Sequence, residues 1–200
     1  MKRIVLMALL ALALPLTAFA DSVDFVNSGG TLIGSSAGLR LTDSELIAVS
    51  GIGGGGWTTG ALGSLGFSTG TLASGSLQMG GAFNGGGSFE ITGNGTDGVP
   101  SGTLFNGSFT GPVTWTLITL KNRTHDYILT GSLMGTWYNG RSVQAATVQL
   151  TINTGKGYFK GRSRISSGNT SMAVPEPGTL GLLETGLVGL AGVLLRKLKV

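Results

Sequence analysis

Glycine is the residue that most constrains what this chain can fold into. The 200 residues include 37 glycines and only 5 prolines. They show no Gly-x-y period, which excludes a collagen-like triple helix. Between residues 21 and 173, Gly or Ser interrupts almost every ten-residue window, so no stretch there favours an ordinary helix. With 41% hydrophobic residues and a mean hydropathy of +0.33, bulk disorder is also not expected.

Short β-strands fit this central part of the chain much better. Ala146, Val148, Leu150 and Ile152 alternate with polar or small residues, a period of two that predicts one buried face and one solvated face. Val113, Trp115 and Leu117 show the same alternation, and further predicted strands cover residues 46–50, 72–79, 88–92, 103–110, 127–137 and 157–166. Turn-forming pairs separate them, namely Asn94-Gly95, Asp97-Gly98, Asn106-Gly107 and Asn139-Gly140.

The expected fold class is therefore all-β. About 150 residues of short strands predict a single antiparallel β-sandwich-like domain over residues 21–165. A β-solenoid is the alternative, because small residues at regular spacing also suit stacked coils. Residues 166–173 are predicted to form a Ser-rich stalk after this domain.

The first twenty residues have the three parts of a secretory signal peptide. Lys2 and Arg3 precede an apolar run from Ile4 to Leu14. Ala18 and Ala20 then place small side chains at the two positions that the cleaving enzyme reads, with the cut before Asp21. The pattern predicts export and processing by signal peptidase. The absence of cysteine fits an exported chain and excludes a disulfide scaffold and a thiol enzyme.

The last 27 residues show a second membrane-directed pattern. Val174, Pro175, Glu176 and Pro177 precede residues 178–195, which are uncharged except for Glu184. As a helix these 18 residues would span roughly 27 Å, enough to cross a bilayer once. They are followed by the C-terminal basic cluster, which the positive-inside rule holds in the cytoplasm: Arg196, Lys197 and Lys199.

Residues 174–200 together resemble the PEP-CTERM protein-sorting signal of Gram-negative bacteria. The resemblance implies that an exosortase-like membrane enzyme recognises Pro175-Glu176-Pro177, cuts near it and passes the protein to the cell surface or the extracellular polymer matrix. It also implies that membrane anchoring is transient. The expected localisation is thus an inner-membrane precursor followed by the cell envelope, surface or matrix.

Charge is distributed unevenly along the chain. The formal net charge is +4, but residues 21–174 contain eight basic and seven acidic residues, a balance of +1. The excess lies at the two ends, so it indicates membrane targeting, and no nucleic-acid partner is expected.

One segment of the body carries concentrated positive charge. If residues 157–165 form a strand, Tyr158, Lys160, Arg162 and Arg164 project to one side, with Lys156 at the edge of the strip. The functional interpretation is a docking strip for anionic exopolysaccharide or phosphate head groups. The alternative is an edge strand whose charges prevent aggregation.

The sequence offers little for catalysis. Residues 51–56 satisfy G-x-G-x-x-G, but no helix-forming run follows, so we interpret them as a Gly-rich loop. A hydrolase would need a pocket that brings together catalytic groups from among Glu90, Asp97, His125 and Asp126. We expect no catalytic residues, no metal and no cofactor.

The expectation from the sequence is a non-enzymatic exported protein with a structural or adhesive role. A carbohydrate-binding module and a secreted polysaccharide-acting enzyme are the alternatives. A binding module would display aromatic platforms for sugars, for which the candidates are Trp57, Trp115, Trp137 and Tyr138. Trp115 and Trp137 lie within alternating strands and are expected in the core.

Overall fold

Thirteen β-strands and no α-helix make up residues 21–52 and 55–174, the part of the chain that the computed structural model describes. The all-β prediction is thus confirmed. The strands are β1 (Asp21–Ser28), β2 (Thr31–Ser35), β3 (Gly38–Ser50), β4 (Thr58–Ser68), β5 (Leu72–Ser76), β6 (Gly80–Phe83), β7 (Gly86–Asn94), β8 (Ser101–Phe109), β9 (Val113–Thr119), β10 (His125–Trp137), β11 (Ser142–Asn153), β12 (Arg162–Arg164) and β13 (Ser167–Val174).

Eight of the strands close into an antiparallel barrel. Their order around the ring is β1, β3, β4, β7, β8, β10, β11 and β13, and β13 is hydrogen-bonded to β1. This arrangement replaces the expected sandwich, because the two edges that a sandwich would leave open are paired with each other. It also differs from the solenoid alternative, in which stacked coils would pair in parallel.

The segment expected to be a Ser-rich stalk, residues 166–173, contains most of the strand that closes this barrel. Strand β13 pairs with β11 from Ala146 opposite Met172 to Thr151 opposite Ser167. Thr170 and Met172 are fully buried. The compact unit accordingly runs from Ser22 to Val174, beyond the predicted domain boundary at residue 165. High Ser content indicated a solvated spacer, but Ser167, Asn169 and Ser171 occupy the outward face of a barrel strand, whereas Thr170 faces inward.

The barrel interior is filled by the apolar residues of the alternating strands. The four β11 residues predicted to be buried are all inside: Ala146, Val148, Leu150 and Ile152. Four phenylalanines form a connected cluster with ring centroids 5.7–6.2 Å apart: Phe67, Phe89, Phe105 and Phe109. The interior is therefore a packed core, as expected for a barrel of this strand number.

Two groups of shorter strands extend this sheet beyond the ring. Strand β9 pairs with the first half of β10 and continues into β6 and β5, while β2 pairs with β3 and carries β12. A second aromatic cluster, formed by Trp115, Tyr127 and Phe159, packs within this part of the fold. The indole N–H of Trp115 donates to the carbonyl of Leu77 at 2.9 Å, which fixes the β5–β6 hairpin.

Some predicted boundaries were wrong. Of residues 157–166, only Arg162–Arg164 form a strand, and residues 72–79 comprise β5 and the following turn. Asn106-Gly107 is not a turn, because it lies inside β8 with Gly107 directly opposite Gly135 of β10. A Cβ on Gly135 would lie 2.2 Å from the Asn106 carbonyl oxygen, so the close approach of these two strands requires glycine.

The predicted signal peptide, Pro175 to Pro177, the helix over residues 178–195 and the basic cluster lie outside the described residues. Within the described part of the chain, no helix has the length and apolarity needed to span a membrane.

Candidate functional site

The basic strip lies on and beside strand β12. Lys160, Arg162 and Arg164 are exposed, while Phe159 and Ile165, their predicted inward neighbours, are 1% and 4% exposed. Lys156 is exposed in the turn that follows β11. The structure therefore places all four predicted basic residues on the solvent side, although only Arg162 and Arg164 belong to a regular strand.

Strand pairing adds a residue that the sequence analysis did not include. Arg162 lies opposite Ile33 of β2, and Ile33 lies opposite Arg40 of β3. Arg162 and Arg40 thus occupy one row across three strands, with backbones about 10 Å apart. Arg40 is exposed between two buried leucines, so its outward direction could have been predicted. Its proximity to Arg162 could not, because it depends on β2 pairing with both strands.

The same row continues into a groove on strands β3, β4 and β7. Arg40 lies opposite Ser68, and Ser68 lies opposite Ser88. The two serine hydroxyl groups are 3.0 Å apart and form a hydrogen bond. The groove has a volume of about 480 Å³, within the range of small-molecule and sugar sites.

A backbone irregularity shapes this groove. The pairing of β3 with β4 shifts between Leu41 and Ser44, and Asp43 in the bulge has φ of 57°, a left-handed conformation. Gly66 of β4 lies opposite the bulge and has no side chain, so the bottom of the groove is not filled there. The bulge thus aims Asp43 at a gap in the sheet surface, and such local strain often accompanies a functional site.

The groove contains both hydrogen-bond donors and hydrogen-bond acceptors. Asp43 and Glu90 supply carboxylates, Arg40 supplies a guanidinium group, and serine and threonine hydroxyls line the remaining surface. Glu90 Oε1 accepts a 3.0 Å hydrogen bond from the hydroxyl of Thr103, which holds this carboxylate in place. Such a set can accept from and donate to a ligand that carries many hydroxyl groups.

A second groove, of about 380 Å³, lies on the outer face of β10, β11 and β13. Its ten lining residues are all uncharged. One outward row crosses four strands through Thr114, Thr130, Gln149 and Asn169, and the hydroxyls of Thr114 and Thr130 are hydrogen-bonded. This face is a neutral, hydrated surface of hydroxyl and amide groups.

The residues considered for catalysis are not brought together. Glu90 lies opposite Asn106, which lies opposite Thr136 on β10. His125 is eleven residues away on that strand, roughly 35 Å along it. His125 stacks on Tyr158 with centroids 4.5 Å apart, and its Nδ1 lies 3.2 Å from the Thr119 hydroxyl.

The other two acidic candidates, Asp126 and Asp97, take part in local structure. Asp126 accepts a hydrogen bond from the Asn153 side-chain amide, and Asp97 lies in the turn between β7 and β8. The described residues contain no group of three or more His, Asp or Glu side chains that could hold a metal ion.

The Gly-rich loop and the aromatic residues also have defined positions. After the loop at residues 51–56, of which 53–54 lie outside the described residues, the chain enters strand β4 at Thr58. A dinucleotide site would require a helix there. Trp115 and Trp137 are 1% and 4% exposed, as expected for core residues, whereas Trp57 and Tyr138 are 59% and 47% exposed.

Comparisons of this chain with protein-family models, with curated proteins and with solved structures find no match.

Proposed function

We propose that this protein is exported and sorted through its C-terminal signal to the surface or extracellular matrix of a Gram-negative bacterium, where it has a structural or adhesive role. One observation carries the proposal: the first and last strands of the described residues border the two predicted cleavage sites. Strand β1 begins at Asp21, directly after the predicted signal-peptide cut, and β13 ends at Val174, directly before Pro175. A chain cut at both places would keep all thirteen strands that the structure describes.

The neighbouring position of the first and last strands gives further support. Strands β1 and β13 are hydrogen-bonded to each other and complete the ring. The ring is therefore closed by residues 21–174 themselves, and a chain cut at both places would keep the pairing of β1 with β13. A protein released from its membrane segments needs this property to remain soluble and unaggregated.

The surface composition supports a role in a hydrated polymer matrix. The uncharged rows on β9, β10, β11 and β13 present hydroxyl and amide groups that can bond to sugar hydroxyls. The partners in this proposal are signal peptidase, an exosortase-like enzyme, the membrane during sorting and exopolysaccharide afterwards. We include no catalytic step, because Glu90 and His125 lie on distant parts of the barrel.

The test is fractionation of the producing cells, followed by mass spectrometry of the mature termini. The proposal expects a protein in the surface or matrix fraction that begins at Asp21 and ends near Val174 to Glu176. Recovery of the uncut chain, from Met1 to Val200, in the soluble cell interior would contradict it.

A variant separates sorting from folding. Replacement of Pro175, Glu176 and Pro177 by alanine should leave the protein in the membrane fraction with its C-terminus intact. The matched control replaces Lys121, Asn122 and Arg123 in the turn after β9, and it should be processed normally. Normal release of the first variant would show that Pro175-Glu176-Pro177 is not the recognised motif.

A further inference from the structure

We infer that the groove on β3, β4 and β7 and the arginine row beside it form one binding surface for an acidic polysaccharide. The surface consists of Arg162, Ile33, Arg40, Ser68 and Ser88, in cross-strand order, with Asp43 and Glu90 beside it in the groove. This inference rests on the proposed function, because only an exported chain would meet such a polymer.

Positive charge is concentrated at one end of this surface. Arg40, Arg162 and Arg164 lie on the neighbouring strands β3 and β12 on either side of β2, and Lys160 comes shortly before β12. Within the described part of the chain, Arg40, Arg162 and Arg164 form no salt bridge with a carboxylate. Their guanidinium groups are thus available for carboxylates of a ligand, which they can bind through two parallel hydrogen bonds.

The groove end has a different chemistry. Asp43 and Glu90 can accept hydrogen bonds from sugar hydroxyls, and the Ser68 and Ser88 hydroxyls can donate or accept. Gly66 leaves the floor open between them. A ligand that satisfies both ends must carry many hydroxyl groups and also negative charges. An acidic polysaccharide, such as a polyuronate, has both.

The dimensions suit an extended polymer. The row from Arg162 to Ser88 crosses five neighbouring strands, which corresponds to about 19 Å between its ends. This length accommodates several sugar units. The row runs perpendicular to the strands, so each successive unit meets the outward side chain of a different strand.

An anionic membrane surface fits these residues less well. Asp43 and Glu90 repel lipid phosphates and uronate carboxylates alike, but a polysaccharide carries hydroxyl groups along its whole length that can donate hydrogen bonds to these two carboxylates. The row itself offers a single exposed apolar side chain, Ile33, for contact with acyl chains. The polysaccharide is therefore the occupant that the mixed groove favours, and lipid binding is an outcome that the test must distinguish.

The experiment uses the protein purified from its producing cells and measures binding to polygalacturonate at low ionic strength. Replacement of Arg40 and Arg162 by glutamine should weaken binding at least tenfold. The matched control, Lys121→Gln with Arg123→Gln, removes the same charge from the turn after β9 and should change binding less than twofold. Increasing NaCl from about 50 to 500 mM should weaken the unaltered protein strongly.

A second variant tests the groove without changing charge. Ser64 is exposed at the groove wall, and Ser64→Tyr places a ring in its path. Binding should fall at least fivefold, while Thr116→Tyr, at an exposed position on β9, should bind normally. Circular dichroism of each variant checks that the barrel remains folded. If the arginine variant fails to fold, the tyrosine variant and the salt dependence still decide the question.

Four outcomes would overturn the inference. They are an absence of polygalacturonate binding, equal binding of neutral dextran, equal losses in the control pair, and arginine-dependent binding to phosphatidylglycerol vesicles without polygalacturonate binding. None of these results affects the termini found by mass spectrometry. Failure of this inference is therefore distinguishable from failure of the proposed function.

Discussion

Tyr127 and Phe159 are joined by a buried hydrogen bond of 3.0 Å, in which the backbone N–H of Phe159 donates to the phenolic oxygen. The same phenol donates to the carbonyl of Gln78 at 2.7 Å. One side chain of β10 therefore connects the segment before β12 with the turn after β5, and both segments depend on it for their position.

Replacement of Tyr127 by phenylalanine should destabilise the protein by about 1 to 3 kcal/mol, because the buried N–H of Phe159 would be left without its acceptor. Urea denaturation measures the change in the free energy of unfolding. Tyr158→Phe is the control. That side chain is 46% exposed, and its replacement should change stability by less than about 0.5 kcal/mol. Equal effects of the two substitutions would contradict the assigned hydrogen bonds.

The opposed glycines of β8 and β10 give a second prediction. A Cβ added to Gly135 would lie 2.2 Å from the Asn106 oxygen and 2.7 Å from the Phe105 ring. Gly135→Ala should therefore cost about 2 kcal/mol or more, measured by thermal or urea unfolding. Gly111→Ala is the matched control, since no described atom lies within 4 Å of its added Cβ. A neutral Gly135→Ala variant would show that β8 and β10 are further apart than described.

Truncation distinguishes a closing strand from a stalk. A chain of residues 21–174 should unfold cooperatively and run as a compact species in size-exclusion chromatography. A chain of residues 21–165 lacks β13, which leaves one edge of β1 and one edge of β11 unpaired and removes the buried Met172. We expect it to aggregate or remain unfolded. Similar circular dichroism spectra and melting transitions for the two chains would mean that β13 is dispensable.

Tryptophan fluorescence tests the burial pattern. Trp57 is 59% exposed, whereas Trp115 and Trp137 are nearly inaccessible. Iodide should therefore quench one component of the emission, and Trp57→Phe should remove that component. Trp137→Phe serves as the comparison, because it should lower the total emission and leave the quenched component. Persistent quenching after Trp57→Phe would contradict the described core.

Local periodicity carried much of the fold prediction. The alternation of apolar and polar residues around Val148 and around Trp115 identified β11 and β9. A strand with one buried and one solvated face shows this pattern within about seven residues. No local sequence pattern indicated that the sheet closes into a ring. Asn27 on β1 and Gly168 on β13 are neighbours in the barrel but are separated by most of the chain. Their pairing depends on the arrangement of all the strands between them.

The candidate site also has one part that the sequence predicted and one part that it did not. The exposed side of Arg162 and Arg164 could be predicted from alternation with Phe159 and Ile165. The addition of Arg40 could not, because it requires the register of β2 against two different strands. The groove was also missed, since it arises from a bulge at Asp43, where the periodic pattern is interrupted.

The place of Val174 at the end of the ring-closing strand has a mechanical consequence. A pull applied to the chain at Val174 would act directly on β13. Because β13 is held by ladders on both sides, extraction requires two rows of hydrogen bonds to fail together. If the protein were attached at Val174, the whole barrel would resist the tension. Force that pulls β13 out of the sheet would also open the barrel.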